Sequence, residues 1–89
     1  MMYPFLKLDD DTEIVHSEML PDGQVKVYME QPVDGGFNSA TCMLPGYVWS
    51  DIEGYTPEQI DRYREVIEST SHLILKYATT GGYSYASGF

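Results

Sequence analysis

The segment from residue 57 to residue 80 carries the apolar spacing of one long amphipathic helix. The residues of its predicted buried stripe follow one another at three- and four-residue steps: Ile60, Tyr63, Ile67, Thr70, Ile74 and Tyr77. Val66 and Leu73 widen this stripe. Gly81 and Gly82 end the pattern after about six or seven turns. A helix of this length with one apolar face must lie on another layer, and this requirement constrains the fold most strongly.

Capping residues mark the start of this helix. Thr56 is the predicted N-cap, Pro57 fits the first helical position and Gln59 completes a capping box. Tyr55 and Ile60 occupy the positions at which a hydrophobic staple brings two side chains together. The sequence therefore predicts that the helix begins at residue 57.

The layer beneath the helix must come from the N-terminal half, because 89 residues have room for one hydrophobic core. Short apolar segments bounded by turn residues predict strands over residues 3–8, 13–20, 24–31 and 37–44. Residues 45–55 are predicted to connect the last strand to the helix. The expected fold is α+β, with a two-layer antiparallel sheet of three or four strands packed on one C-terminal helix. Residues 1–82 form the predicted single domain.

Two registers are open to the hairpin around Pro21-Asp22-Gly23. A two-residue loop sets His16 and Glu18 beside apolar partners. A three-residue loop places apolar residues together and pairs opposite charges, and Gly23 can adopt the left-handed conformation that this loop needs. The favoured three-residue loop aligns Val15 with Met29, Ser17 with Val27, Met19 with Val25, His16 with Tyr28, and Glu18 with Lys26.

The charge balance limits the classes of partner. Fourteen Asp and Glu residues face five Lys and Arg residues, which gives a formal net charge of −9. Direct binding to nucleic acid or to an anionic membrane needs clustered cations, so both are disfavoured. The same field attracts a basic protein partner, although the acidity can also serve solubility alone. The single Cys excludes an internal disulfide and no apolar run matches a membrane span, so the sequence predicts a cytoplasmic protein.

Aromatic and acidic residues alternate just before the helix, and this is the strongest candidate for a binding surface. The predicted partner-binding residues are Tyr47, Trp49, Asp51, Glu53 and Tyr55, continued along the helix by Asp61, Glu65 and Glu68. Aromatic side chains supply contact area at low entropic cost, and acidic groups around them recruit Lys and Arg from a partner. The alternative is that the rings pack inward and cover the core.

Cys42 is the one candidate nucleophile. With His16 and Tyr28 it defines an alternative function as a small enzyme or ligand-binding domain. Its strand position beside Ala40 and Leu44 is instead typical of a buried Cys. Two His and one Cys lie too far apart in sequence for a zinc signature. The sequence therefore predicts no catalytic residue, no metal ligand and no cofactor.

The last residues of the chain are aromatic and uncharged. Tyr83 and Tyr85 alternate as in a short strand, and Phe89 ends the chain. Residues 83–89 could return to the edge of the sheet or add to a neighbouring chain, so Tyr83, Tyr85 and Phe89 are predicted oligomer contacts, with a homodimer as one outcome.

These patterns favour a small acidic interaction protein without enzymatic activity. Its partner would be a basic protein, and one form is an inhibitor or antitoxin that mimics the charge of nucleic acid. The alternatives are the small enzyme or ligand-binding domain and a structural subunit of a larger assembly.

Overall fold

The computed structural model describes residues 2–80. Its elements in chain order are β1 (Met2–Lys7), β2 (Glu13–Ser17), β3 (Val25–Val33), β4 (Gly36–Leu44), β5 (Val48–Glu53) and α1 (Pro57–Thr80). The strands form one antiparallel sheet in the order β1-β2-β3-β4-β5. The predicted α+β class is therefore confirmed, with five strands instead of three or four. The predicted tail contacts at Tyr83, Tyr85 and Phe89 lie outside the described residues.

The fifth strand corrects the prediction that residues 45–55 only connect the sheet to the helix. Ser50 pairs with Thr41 and Glu53 with Ser39, so Asp51 and Ile52 together oppose the single residue Ala40. Asp51 adopts a φ of 51°, which is a left-handed conformation. This bulge interrupts the two-residue alternation by which a strand is recognised in sequence.

The register of β2 against β3 differs from the prediction by one residue. The pairs are Glu13 with Glu30, Ile14 with Met29, Val15 with Tyr28, and His16 with Val27. The three-residue loop itself is as predicted: Leu20 N donates to Gln24 O at 2.7 Å, and Gly23 has a φ of 83°. Between the loop and the ladder the first strand carries one extra residue.

The extra residue has a visible hydrogen-bonding consequence. The Lys26 N–H donates to Ser17 Oγ at 2.9 Å, so a side chain takes the place of a backbone acceptor. Val15 and His16 therefore exchange faces relative to the prediction. His16 becomes fully buried, and the predicted pairs of His16 with Tyr28 and of Glu18 with Lys26 are wrong.

The core lies between the helix and one face of the sheet. The sheet contributes the buried side chains of Ile14, His16, Val25, Val27, Met29, Ala40, Cys42 and Leu44, and the helix contributes Tyr63, Ile67, Ile74 and Ala78. At the far end of the helix, Met19 N donates to Ala78 O at 3.3 Å. The helix therefore follows β2 from its beginning to beyond its end.

The predicted capping box forms at the start of the helix. The Thr56 N–H donates to Gln59 Oε1 at 2.9 Å, and the Gln59 N–H donates to Thr56 Oγ1 at 3.2 Å. Pro57 is the first helical residue, as predicted. These reciprocal bonds satisfy two backbone donors that the helix leaves free, which fixes where it begins.

Hydrogen-bonded side chains join the start of the helix to the loop between β1 and β2. Tyr63 Oη donates to Asp10 Oδ2 at 2.6 Å, and Thr12 Oγ1 lies 3.2 Å from the hydroxyl oxygens of both Tyr55 and Tyr63. Because an ionised carboxylate can only accept, the one proton of Tyr63 points to Asp10. Thr12 then donates to Tyr63 and accepts from Tyr55, which gives a chain of donors directed from Tyr55 to Asp10.

Asp10 is held in its ionised form by this chain. Burial alone would raise its pKa, but hydrogen bonds from Tyr63 and Thr12, together with the Arg62 guanidinium at 3.2 Å, hold the pKa below its usual range. A carboxyl group whose pKa is lowered by folding stabilises the folded state at pH values above the pKa of the same group in the unfolded chain, about 3.9. That contribution disappears as the pH falls through the lower folded-state value.

We expect Asp10→Asn to lower the free energy of unfolding by about 1.5–3 kcal/mol at neutral pH, because it removes charged hydrogen bonds. Urea denaturation followed by circular dichroism measures this loss. Asp9→Asn, at an exposed neighbouring position, is the control and should change stability by less than about 0.5 kcal/mol. Equal losses in the two variants would contradict the assigned role of Asp10.

Alkaline pH should destabilise the same region. Burial raises the pKa of Tyr55 to about 12 and also raises the pKa of Tyr63, whereas an unfolded tyrosine titrates near 10. A raised pKa contributes stability that is complete below pH of about 10 and is lost as the pH rises toward about 12. Melting temperature and tyrosinate absorbance measured together should show late ionisation coupled to unfolding. In Tyr55→Phe the fall in melting temperature over this range should be smaller.

Candidate protein-interaction surface

The last strand and the helix meet along one edge of the molecule. Tyr47 Oη, in the turn before β5, donates to Ser71 Oγ at 3.0 Å. Nearer the start of the helix, Ile52 of β5 and Ile60 of α1 line one shallow pocket. The strip between these contacts is called the β5–helix surface, and it consists of Asp51, Ile52, Ile60, Asp61, Glu65 and Glu68.

The aromatic residues predicted for this surface do not all reach it. Tyr55 is buried and belongs to the hydrogen-bonded chain that ends at Asp10, so its prediction as a partner-binding residue is corrected. Tyr47 and Trp49 are half-buried and pack against the core. Tyr55 faces inward because its ring meets the Tyr63 ring edge-on, with centroids 5.0 Å apart. The three rings therefore pack against the core beneath the surface.

The predicted carboxylates are exposed. Asp61, Glu65 and Glu68 lie at i, i+4 and i+7 on one side of the helix, and Asp51 lies in the bulge of β5. Glu53 pairs with Ser39 and therefore projects from the sheet face that the helix does not cover, which corrects its prediction as part of this surface. Asp61 forms an ion pair with Arg64. Among residues 2–79, no ion pair reaches the other four carboxylates. The surface thus retains a negative potential.

A shallow pocket lies at the end of the surface nearest the start of the helix. It has a volume of about 280 Å³ and is lined by Ile52, Tyr55, Pro57, Ile60 and Asp61. Ile52 is 44% exposed and supplies apolar area to this pocket. The sequence signal for it is an isolated Ile between Asp51 and Glu53.

The structure separates the residues of the alternative enzyme. His16, Val27 and Cys42 pair in one row across β2, β3 and β4 on the helix-covered face. Tyr28 follows Val27 and therefore projects from the opposite face of the sheet. Burial raises the pKa of the Cys42 thiol to about 11, and the negative charge of Glu68 adds to this effect. These three side chains do not form a common site.

His16 has a defined tautomer in the core. Its Nδ1 lies 2.9 Å from the carbonyl oxygen of Ser17, and a carbonyl only accepts, so Nδ1 carries the proton. The rings of Tyr3 and Phe5 lie against it, with centroids 5.7 Å and 6.3 Å away. Its Nε2 is buried without a hydrogen-bond partner in the described part of the chain. An aromatic enclosure of this kind isolates the imidazole from solvent.

Residues 2–80 contain no cluster of three or more His, Cys, Asp or Glu side chains arranged to bind a metal ion. The helix described here is not apolar enough over a sufficient length to cross a membrane. No protein-family model matches the chain, and comparisons with curated proteins and with solved structures found no match. Function must therefore be argued from the β5–helix surface itself.

The Cys42 thiol should be unreactive in the folded protein. It is fully buried and its pKa of about 11 leaves almost no thiolate at neutral pH. An aromatic disulfide reagent should modify it at a rate at least about a hundredfold below that of the urea-unfolded chain. Rapid modification under native conditions would contradict the burial of this strand.

Proposed function

We propose that the protein is a non-enzymatic interaction protein whose β5–helix surface binds a basic segment of a partner protein. The observation that carries this proposal is the position of one apolar pocket within a strip of exposed carboxylates. Apolar contact provides the anchor, and the carboxylates select and orient cations around it. An intracellular location is part of the proposal.

The pocket indicates what the partner segment must contain. Its apolar lining of Ile52, Pro57 and Ile60 suits a branched aliphatic side chain, and its volume of about 280 Å³ accommodates one such residue. Asp51 lies on the strand beside it, and Glu65 and Glu68 continue along the helix. The expected partner segment therefore carries an aliphatic residue flanked by Lys or Arg.

One form of this function is an inhibitor or antitoxin that occupies the nucleic-acid site of its partner. Asp61, Glu65 and Glu68 follow one another along the helix at intervals of about 4.5–6 Å, given a rise of 1.5 Å per residue. A row of negative charges on a rigid element can contact cations that otherwise bind phosphates. The net charge of −9 supports attraction over a longer range.

The test uses a random peptide library presented to the full-length protein. Selection should enrich peptides in which Lys or Arg flank an aliphatic residue, and their affinity should fall as salt rises. Glu65→Lys combined with Glu68→Lys should weaken binding of the best peptide by at least about tenfold.

The matched control is Asp9→Lys combined with Asp34→Lys, which gives the same net charge at exposed positions in two other turns. This control should weaken binding by less than about threefold. Equal losses in the two double variants would mean that only overall charge matters. Enrichment of peptides without basic residues would contradict the proposed function.

A further inference from the structure

A second surface lies on the face of the sheet that the helix does not cover, called here the open sheet face. Its middle row joins one residue from each strand: Pro4, Val15, Tyr28, Thr41 and Ser50. This row contains no charged residue. Thr41 is only 5% exposed although it projects away from the helix, because its short side chain lies between longer neighbours. The centre of the open sheet face is therefore uncharged, so another protein surface can cover it without burying an ionised group.

The rows on either side of the middle row differ in charge. On one side, Lys26 pairs with Met43, which pairs with Val48. On the other side, the row runs from Lys7 through Glu13, Glu30 and Ser39 to Glu53, so it holds three carboxylates and one ammonium group. On β3, Lys26 and Glu30 thus stand two residues before and two residues after Tyr28. On the central strand, the charge is therefore positive on one side of the uncharged row and negative on the other.

Large apolar side chains also lie on both sides. Val48 is 59% exposed in the row of Lys26, and Phe37 is 62% exposed beyond the row of Glu30. Phe37 lines a second pocket of about 220 Å³ together with Pro32 and Glu30. Exposed apolar side chains of this size on one sheet face mark a contact surface.

We propose that the open sheet face binds the same face of a second copy of this chain. A twofold axis along the middle row places β3 of one copy over β3 of the other in the reverse direction. Lys26 of each copy then lies over Glu30 of its partner copy, and the two Tyr28 rings meet near the axis. Such a contact is isologous, because the same patch is used twice.

The charges select this axis over the other twofold arrangement. An axis parallel to the strands places Glu30 of each copy over Glu30 of the other and Lys26 over Lys26, so only Lys7 and Glu53, on the outer strands, meet an opposite charge. An axis along the middle row places acidic rows at opposite ends of the interface and pairs each with the row of Lys26. Like charges facing each other are strongly unfavourable, and opposite charges fix the register. The Tyr28 hydroxyl, which donates to Glu30 Oε2 at 3.0 Å, already holds this carboxylate in place.

Sedimentation velocity of the full chain over a wide concentration range tests the proposal. The unmodified protein should show a monomer–dimer equilibrium. Lys26→Glu or Glu30→Lys alone should each weaken the dimer by at least about tenfold, because like charges then meet across the axis. The double variant K26E/E30K exchanges the two charges within each copy and should restore the dimer to within about threefold.

A mixture of the two single variants gives the sharpest result. The Lys26→Glu copy has Glu at positions 26 and 30, and the Glu30→Lys copy has Lys at both positions. The mixture should therefore form a heterodimer, although neither variant forms a stable dimer alone. Glu58→Lys, which makes the same charge change as Glu30→Lys but lies on the exposed helix, should leave the dimer unchanged. Circular dichroism of every variant confirms that the fold is retained.

Three outcomes would overturn the proposal. They are an unmodified protein that stays monomeric throughout, a dimer that neither single reversal weakens, and single-variant losses that neither the double variant nor the mixture repairs. The residues changed here, Lys26 and Glu30, do not belong to the β5–helix surface, so these results test the dimer independently of the proposed function.

Discussion

The chain of hydroxyl groups from Tyr55 through Thr12 and Tyr63 to Asp10 is the interaction on which the rest of the architecture depends. It joins the residue before the helix, the first turns of the helix and the loop that begins β2. Each group in it is buried or partly buried, so its polar atoms must be satisfied within the protein. The ionised carboxylate at its end orients every donor. Packing alone would allow the helix to slide along the sheet, whereas this chain fixes one position.

That position determines where the two candidate surfaces lie. With its start held beside Thr12 and its end hydrogen-bonded at Met19, the helix covers one face of the sheet and borders β5. The carboxylates Glu65 and Glu68 consequently run beside the exposed edge strand. One helix cannot cover both faces of a five-stranded sheet, so the opposite face remains open. The positions of both surfaces thus follow from the packing of a single helix on one face of the sheet.

Local sequence rules predicted the elements with few errors, and the errors have a common cause. The helix, its capping box and four strands follow from apolar spacing and turn residues. The sequence did not indicate β5 or the register of β2, because each contains an extra residue that breaks the alternation of faces. A bulge is stabilised by partners on the neighbouring strand, so a single strand's pattern does not reveal it. The exposed carboxylates of the candidate surface were predictable, whereas the buried position of Tyr55 was not.

The sequence by itself determined the class of fold, the long amphipathic helix, the strong negative charge and the carboxylates at Asp51, Glu53, Glu65 and Glu68. These properties depend on residue type and on spacing within one element, which are local. Only the tertiary structure decided that His16 enters the core, that Tyr28 lies on the other face from Cys42, and that Ile52 and Ile60 share a pocket. Each of these facts depends on strand register or on the seating of the helix. Both are set by contacts between residues distant in sequence, and such contacts leave no periodic signal in the chain.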